Sequence, residues 1–441
     1  MAAAGEPPDQ PGDAITASER KAAGLPRREF LRSGLGAAGA AVLGPGIDPA
    51  AAAESQPNLP PNVPEWTRSL GDGVASRPYG VPSRFENGVI RRTVSWLTPT
   101  DTTAVSFAPL QDLYGVVTPS GLAFERYHAG APTIDPAAHR LMIHGLVERP
   151  RLLTVADVMR FPSVTRTAFI ECAANGSTEW RGAQMPGLQF THGMLSCSEW
   201  TGVALSTLLN EVGVKAGAEW ILAEGADAAA MSRSVPLAKA LDDALVVYAQ
   251  NGERLRPEQG YPLRLLLPGW EGNINVKWLR RLKLGDQPWN GREETDRYTD
   301  LMPDGLARQF TWVMEAKSVI TFPCPEKPLA APGSYEVSGL AWSGNGKISR
   351  VDVSFDGGNN WRSASLQAPV QSKCLTRFRI DWHWPGTGAL LQSRAIDETG
   401  YVQPTITQLR AVRGVNSIYH NNAIQTWRVS PSGQVENVQL A

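Results

Sequence analysis

The sequence predicts an α+β protein in two folded units: a mixed unit over residues 85–322, then a β-sandwich over 323–441. Three observations carry this. The chain has 441 residues, more than one ordinary core accommodates. Between Phe85 and Phe322, helix-type and strand-type patterns alternate. Beyond Pro325 the texture changes to short apolar runs separated by turn residues, which is the spacing of a sandwich.

Taken in order, residues 1–26 are polar and lack an apolar period, and Arg27-Arg28 then precedes a mild Gly/Ala-rich run from Ser33 to Leu43 and the small residues Ala50–Ala53. That layout predicts a signal peptide over 1–53 for the twin-arginine route, which carries folded proteins to the periplasm. The run is too short for a membrane anchor. Residues 54–84, rich in Pro, Ser, Gly and Asn, read as an extended lead-in. Val164–Glu171 reads as a strand ending at Cys172. Leu205, Leu208, Leu209 and Val212 recur at helical spacing before Gly213, which predicts an amphipathic helix with a glycine stop. Val246–Ala249 followed by Asn251-Gly252 reads as a strand entering a tight turn, and Leu263–Leu267 as another short strand. In the second unit, strands are expected at 335–342, 348–355, 361–366, 376–384 and 390–396. Turns are expected at Asp356-Gly357-Gly358 and Glu398-Thr399-Gly400. The alternation of Val351, Val353 and Phe355 predicts a strand buried on one face.

Composition excludes several classes. Charged residues make up 19% and the net charge is −1, so nothing points to nucleic acid or to an anionic membrane. The four cysteines, Cys172, Cys197, Cys324 and Cys374, have neither zinc-site nor CxxC spacing, and the missing C-x-x-C-H leaves no attachment site for a c-type haem in this chain. In an oxidising compartment, Cys197, Cys324 and Cys374 are candidates for a disulfide.

The chemistry centres on Phe169-Ile170-Glu171-Cys172-Ala173-Ala174-Asn175-Gly176. A strand delivers a cysteine into a turn of small residues, which leaves the sulfur open and lets a large ligand approach the backbone. A thiolate is a suitable ligand for a redox-active metal, and a single one needs a cofactor to complete the coordination. Taken alone, the motif fits a buried structural thiol equally well.

The surroundings decide. Phe124-Glu125-Arg126-Tyr127-His128, Arg140-Leu141, His144-Gly145, Trp200-Thr201-Gly202-Val203, Gly260-Tyr261-Pro262-Leu263-Arg264 and Asn275-Val276-Lys277-Trp278 occur in the order that resembles the molybdopterin domain of the sulfite oxidase family. Tyr298-Thr299-Asp300-Leu301, Met314-Glu315-Ala316-Lys317-Ser318 and Tyr419-His420-Asn421-Asn422-Ala423 extend the resemblance, from about residue 65 to the end, to that family's sulfane dehydrogenase branch, the molybdenum subunit of a bacterial thiosulfate-oxidising system. The resemblance implies a sulfite-oxidase-type α/β molybdopterin domain followed by an immunoglobulin-like dimerisation domain. It implies a molybdenum–molybdopterin cofactor with Cys172 as the metal ligand, and Phe124, Arg126 and His128 lining pterin and metal. Asp227, Gln259, Arg264, Asn275 and Lys277 match cofactor contacts, the cations suiting a phosphate tail. Tyr248 matches the active-site tyrosine, and Arg379 an arginine reaching the substrate from the second domain.

The resemblance also implies the reaction and its partners. Persulfide sulfur on a carrier protein's cysteine is oxidised by oxygen-atom transfer, with electrons leaving to a c-type cytochrome subunit, in a homodimer within a hetero-oligomer. The chain departs from sulfite oxidases where two arginines follow the ligand motif: Gly176 and Ser177 stand there. A pocket tryptophan is Phe190 and a cofactor-contact histidine is Gln259. Loss of a guanidinium weakens capture of a small dianion, so these changes favour carrier-borne sulfur. The alternatives are a sulfite dehydrogenase acting on free sulfite with a cytochrome acceptor, and an exported binding protein on the same scaffold without cofactor.

Overall fold

The computed structural model describes residues 79–440 together with Leu70. The leader lies outside the described residues, as does most of the lead-in. Residues 82–441 form one compact unit, and no helix among the described residues is long and apolar enough to cross a membrane.

The first half is built from β1 (Arg140–Gly145), β2 (Arg151–Thr154), β3 (Ser163–Glu171), β4 (Leu195–Ala204), β5 (Trp220–Gly225), β6 (Ser232–Pro236), β7 (Leu245–Gln250), β8 (Glu253–Arg254), β9 (Arg264–Leu266) and β10 (Leu279–Gly285). They make two sheets, ordered β2-β1-β10-β5-β6 and β3-β4-β7-β8, with β9 on β7. Only β1 and β10 pair in parallel within these two sheets. The amphipathic helix forms as expected, α1 (Leu205–Val212), burying the four residues of its apolar stripe. Asn251, at φ +51°, turns β7 into β8.

Strand β7 shows how the site is laid out. Its alternate residues serve two different cores: Leu245 and Val247 pack with β3 and β4, while Val246 and Tyr248 pack between the sheets with α1. A strand buried on both faces needs this parity. Each large side chain buried there contributes about 1.5–3 kcal/mol.

A small hairpin, β11 (Asp300–Leu301) with β12 (Ala307–Arg308), leads to the sandwich. Its strands are β13 (Lys317–Phe322), β14 (Gly333–Trp342), β15 (Ile348–Ser354), β16 (Arg362–Ser363), β17 (Ser365–Leu366), β18 (Thr376–Trp384), β19 (Ala389–Asp397), β20 (Thr426–Val429) and β21 (Val435–Val438). They form antiparallel sheets β13-β14-β18-β17 and β16-β15-β19-β20-β21, the immunoglobulin-like arrangement. Two expectations need correction. The boundary at 322/323 cuts β13 from its sheet, because Phe322 pairs with Ser338 and Lys317 with Trp342; the change of texture at Pro325 marks the end of the first sandwich strand. And β15, exposed at Ser349 and Arg350, is buried on both faces over residues 351–354, where Asp352 accepts from Arg394 and Ser363 and so satisfies its polar side.

The core runs without a break from β3 and β4 into the sandwich, joining Phe169 and Trp200 to Trp342, Phe378 and Trp427. Polar ties reinforce the junction. Arg377 donates to the carbonyls of Leu113 (3.0 Å) and Gly115 (2.8 Å). Arg410, on α2 (Ile406–Arg413), donates through Nε to the Trp180 carbonyl at 3.1 Å. All four cysteines are buried and free; the sulfurs of Cys197 and Cys374 approach to 3.4 Å across the junction.

Candidate active site

Strand β3 ends at Glu171 and hands Cys172 to the wall of a cavity. The cavity draws Phe124, Arg126 and His128 from the segment before β1, Asp227 from the β5–β6 loop, and Gln259, Arg264, Asn275 and Lys277 from the stretch around β9. Gly272 lets that stretch close over the cysteine: a Cβ there would stand 2.9 Å from the Glu171 carbonyl oxygen and 3.3 Å from Cys172 Cα.

Cys172 is 7% exposed. Burial pushes its thiol above the ordinary value, with the Ala174 backbone and the Arg126 charge pulling the other way. A bound metal would override this, since a coordinating thiol is deprotonated outright. His128 is pushed down to about 4 by burial and by Arg126, so its ring is neutral at ordinary pH. Burial, then the Arg264 charge, brings the Lys277 ammonium down to about 7. The ammonium lies 4.5 Å from the Tyr127 and Trp278 ring centroids and donates to the carbonyls of Arg126 (3.1 Å) and Glu258 (3.0 Å). Arg264, brought down to about 9 by burial, donates to the carbonyls of Gln259 (2.9 Å) and Asn275 (3.2 Å). Gln259 in turn donates to the Phe124 carbonyl at 3.0 Å. Asn275 has a structural task as well as a place in the wall: its amide accepts from the Leu267 N–H and donates to the Glu271 carbonyl.

Two expected residues lie elsewhere. Tyr248 does not line the cavity; the parity of β7 turns it into the core between the sheets, with Arg254 5.7 Å from its ring. Two other tyrosines line it, Tyr127, whose ring faces the Lys277 ammonium, and Tyr298. The Tyr298 ring lies 5.2 Å from that of Tyr419 and 5.2 Å from the Arg233 guanidinium carbon, and burial, then the neighbouring Cys172, raises its phenol. It therefore stays a proton-bearing donor. The run Tyr298-Thr299-Asp300-Leu301 was the signal for it. Arg379 also stands off the cavity, paired with Glu336 (3.2 Å) and donating to Gln367 (2.9 Å). Two residues earlier on the same face of β18, Arg377 does reach the first unit. Trp278, from the Asn275–Trp278 motif, also joins the wall, as do Ser196, Met231 and Asn273; no local pattern marks these last three, because strand β4 and two separate loops deliver them.

The residues suit a molybdopterin. Four buried polar atoms on cavity residues have no partner: the acceptors Asp227 Oδ1 and Asn273 Oδ1 and the donors Arg264 Nε and Asn273 Nδ2. Orphaned groups of both kinds are costly unless a ligand satisfies them, and a pterin offers donors and acceptors on one ring system. Arg126, Arg264 and Lys277 provide cations for an anionic tail.

Comparison with known proteins agrees. Residues 128–293 match the family model of the oxidoreductase molybdopterin binding domain, and residues 308–427 that of the Mo-co oxidoreductase dimerisation domain. The fold and site are those of a molybdopterin oxidoreductase. The chain is 31% identical to chicken (Gallus gallus) sulfite oxidase, over 68% of this chain and 71% of that protein. It is 30% identical to an NADH nitrate reductase of Ulva prolifera over 69% of this chain, and spans only 40% of that protein. The crystal structure of the sulfane dehydrogenase SoxCD from Paracoccus pantotrophus superposes with a TM-score of 0.84, at 52% identity over 90% of this chain and 100% of that one. The chain belongs to the sulfite oxidase family of molybdopterin oxidoreductases, and its cofactor is molybdenum held by a molybdopterin.

Proposed function

We propose that this oxidoreductase oxidises sulfane sulfur carried as a persulfide on a partner protein's cysteine, and passes the electrons to a c-type cytochrome. The observation that carries the reading is the likeness to the sulfane dehydrogenase at 52% identity over the whole of that chain. The sequence supports it: Gly176 and Ser177 stand where the resemblance to sulfite oxidases leads one to expect arginines, so these two positions offer no guanidinium to a free dianion. We place the enzyme in the periplasm, reached by the Arg27-Arg28 leader, and assign the sandwich the dimer contact that its family model names.

The bound cofactor supplies two-electron oxygen-atom transfer to sulfur. Each turnover adds one oxygen from water to the outer sulfur and releases two protons and two electrons. The chain's own residues hold the reactants. Cys172 ligates the metal. Lys277 and Arg264 neutralise the cofactor's anionic tail, and Arg126 places a positive charge beside the thiolate. The Tyr298 hydroxyl donates towards the cavity, orienting an oxygen there. Neutral His128 offers a lone pair or an N–H without repelling these cations.

The test is cytochrome reduction by the purified enzyme with a persulfide-bearing carrier protein or with free sulfite. Reduction with the carrier alone is expected. Efficient reduction with free sulfite alone would make the chain a sulfite dehydrogenase instead.

A further inference from the structure

We propose that the sandwich completes the metal-ligand turn, with Lys317 as the positioning residue for Cys172. The inference rests on Cys172 being the molybdenum ligand and adds what holds it in place.

The turn 172–176 contains Ala173, Ala174 and Gly176, whose side chains cannot anchor it. Local backbone N–H groups satisfy part of it: Asn175 donates to the Cys172 carbonyl, Ser177 to that of Ala174 and Glu179 to that of Gly176. The first unit adds the Cys172 N–H, which donates to the Met194 carbonyl at 3.0 Å, and the Asn175 side chain, which donates to the His192 carbonyl (3.0 Å) and accepts from the Met194 N–H (3.2 Å). Three further contacts come from the second domain. The His420 N–H donates to the Ala173 carbonyl at 2.8 Å, Lys317 Nζ to that of Asn175 at 3.1 Å, and Asn421 Nδ2 to that of Gly176 at 3.0 Å.

One residue before the cysteine, the fully buried Glu171 is held in the same way. Its Oε1 accepts from Lys317 Nζ (3.0 Å) and Asn175 Nδ2 (2.9 Å), and its Oε2 from Trp342 Nε1 (2.7 Å). Lys317 thus bridges the residue before Cys172 and the turn after it, from a side chain that is itself 3% exposed. It lines a separate small space behind the turn and is absent from the wall of the main cavity, so it acts through Cys172 rather than on substrate. Gly176 suits the turn through its backbone, at φ +89°; a Cβ there would make only ordinary contacts, 3.6 Å from Lys317 Nζ and from Asn421 Cβ. Lys317 thus holds the turn from the sandwich side, while Arg126 lines the cavity side. Outer groups that fix a metal ligand's orientation tune the metal as strongly as many direct contacts do.

The experiment uses the holoenzyme and the variants Lys317→Met, Lys317→Arg and the double variant Glu171→Gln/Lys317→Met, which removes both buried charges together and so avoids stranding one. Molybdenum content, the Mo(V) electron paramagnetic resonance spectrum, kcat and KM are read. Lys317→Met and the double variant are expected to retain molybdenum but show shifted Mo(V) g-values. Their kcat should fall about 10- to 100-fold, with KM moving less than about twofold. Lys317→Arg should restore the wild-type spectrum. Should Lys317→Met fail to fold, the double variant decides. A wild-type spectrum and kcat in the double variant overturn the proposal, as does a Lys317→Arg spectrum that matches Lys317→Met. A Cys172→Ser enzyme that keeps its molybdenum and its spectrum unchanged would instead sink the ligand reading itself, whatever Lys317 shows.

Discussion

The two faces of the Cys172 turn are built on opposite principles. On the cavity face, buried polar atoms are left open, Asp227 Oδ1 and Arg264 Nε among them, and the cations Lys277 and Arg264 are held below their ordinary pKa by burial. On the sandwich face, Glu171, Lys317, Asn175 and Trp342 satisfy one another within 3.1 Å. Unsatisfied buried groups mark where a ligand goes, and closed networks mark what must not move. One short turn carries both, which is how a rigid support can present a reactive sulfur to an open cavity.

The largest effect expected from breaking this division is on the cavity face. Tyr298→Phe should lower kcat about a hundredfold by removing the donor, with molybdenum content intact. Tyr248→Phe should leave kcat within about twofold, since its ring serves the core; equal losses in steady-state kinetics would return the role to Tyr248. Next is Lys277→Met, which removes a charge-assisted contact worth about 1.5–3 kcal/mol and should weaken cofactor retention about 10- to 150-fold in a dialysis assay.

The pH dependence follows from the same lysine. Its pKa in the protein without cofactor is lowered to about 7, and an anion bound beside the ammonium raises it. Binding therefore takes up a proton above pH 7, and affinity should fall as pH rises from about 7, a slope that Lys277→Met abolishes. In the folding equilibrium of cofactor-free protein the sign is opposite. Between about 7 and the usual 10.5 the unfolded chain carries the proton that the folded one lacks, so Lys277 makes stability rise with pH across that window. Chemical denaturation at several pH values reads it, and Lys277→Met should flatten it.

The smallest effect lies on the sandwich side, away from the turn. Thr405 caps α2 in a reciprocal capping box with Gln408, and Thr405→Ala should cost about 1 kcal/mol, seen as a modest drop in melting temperature with kcat unchanged.

Much of this was legible in the sequence because local rules agree with the fold at those places. The strand ending at Cys172, the α1 stripe and the sandwich strands each follow a period that burial enforces. Phe124, Arg126, His128, Asp227, Gln259, Arg264, Asn275 and Lys277, read from ordered motifs, do meet on one cavity. What the sequence hid depends on parity and on tertiary delivery. The resemblance matches Tyr248 to the active-site tyrosine, yet the pleat of β7 sends it to the other face. Tyr298 lies in an irregular stretch and is placed by packing on Tyr419 and Arg233, residues distant in the chain. Arg377 and Arg379 differ by one pleat repeat, too fine for a loose alignment to separate. Lys317 read as one letter of a motif; its bond to Glu171 spans 146 residues, and no local pattern reports such a contact.

The most direct test is X-ray absorption at the molybdenum edge on the purified enzyme and its Cys172→Ser variant. Loss of one sulfur scatterer from the metal, together with loss of cytochrome reduction, is the expected result. An unchanged sulfur count in the variant would contradict the account, because the metal would then take its ligands from somewhere other than the turn that both faces of this site are built to hold.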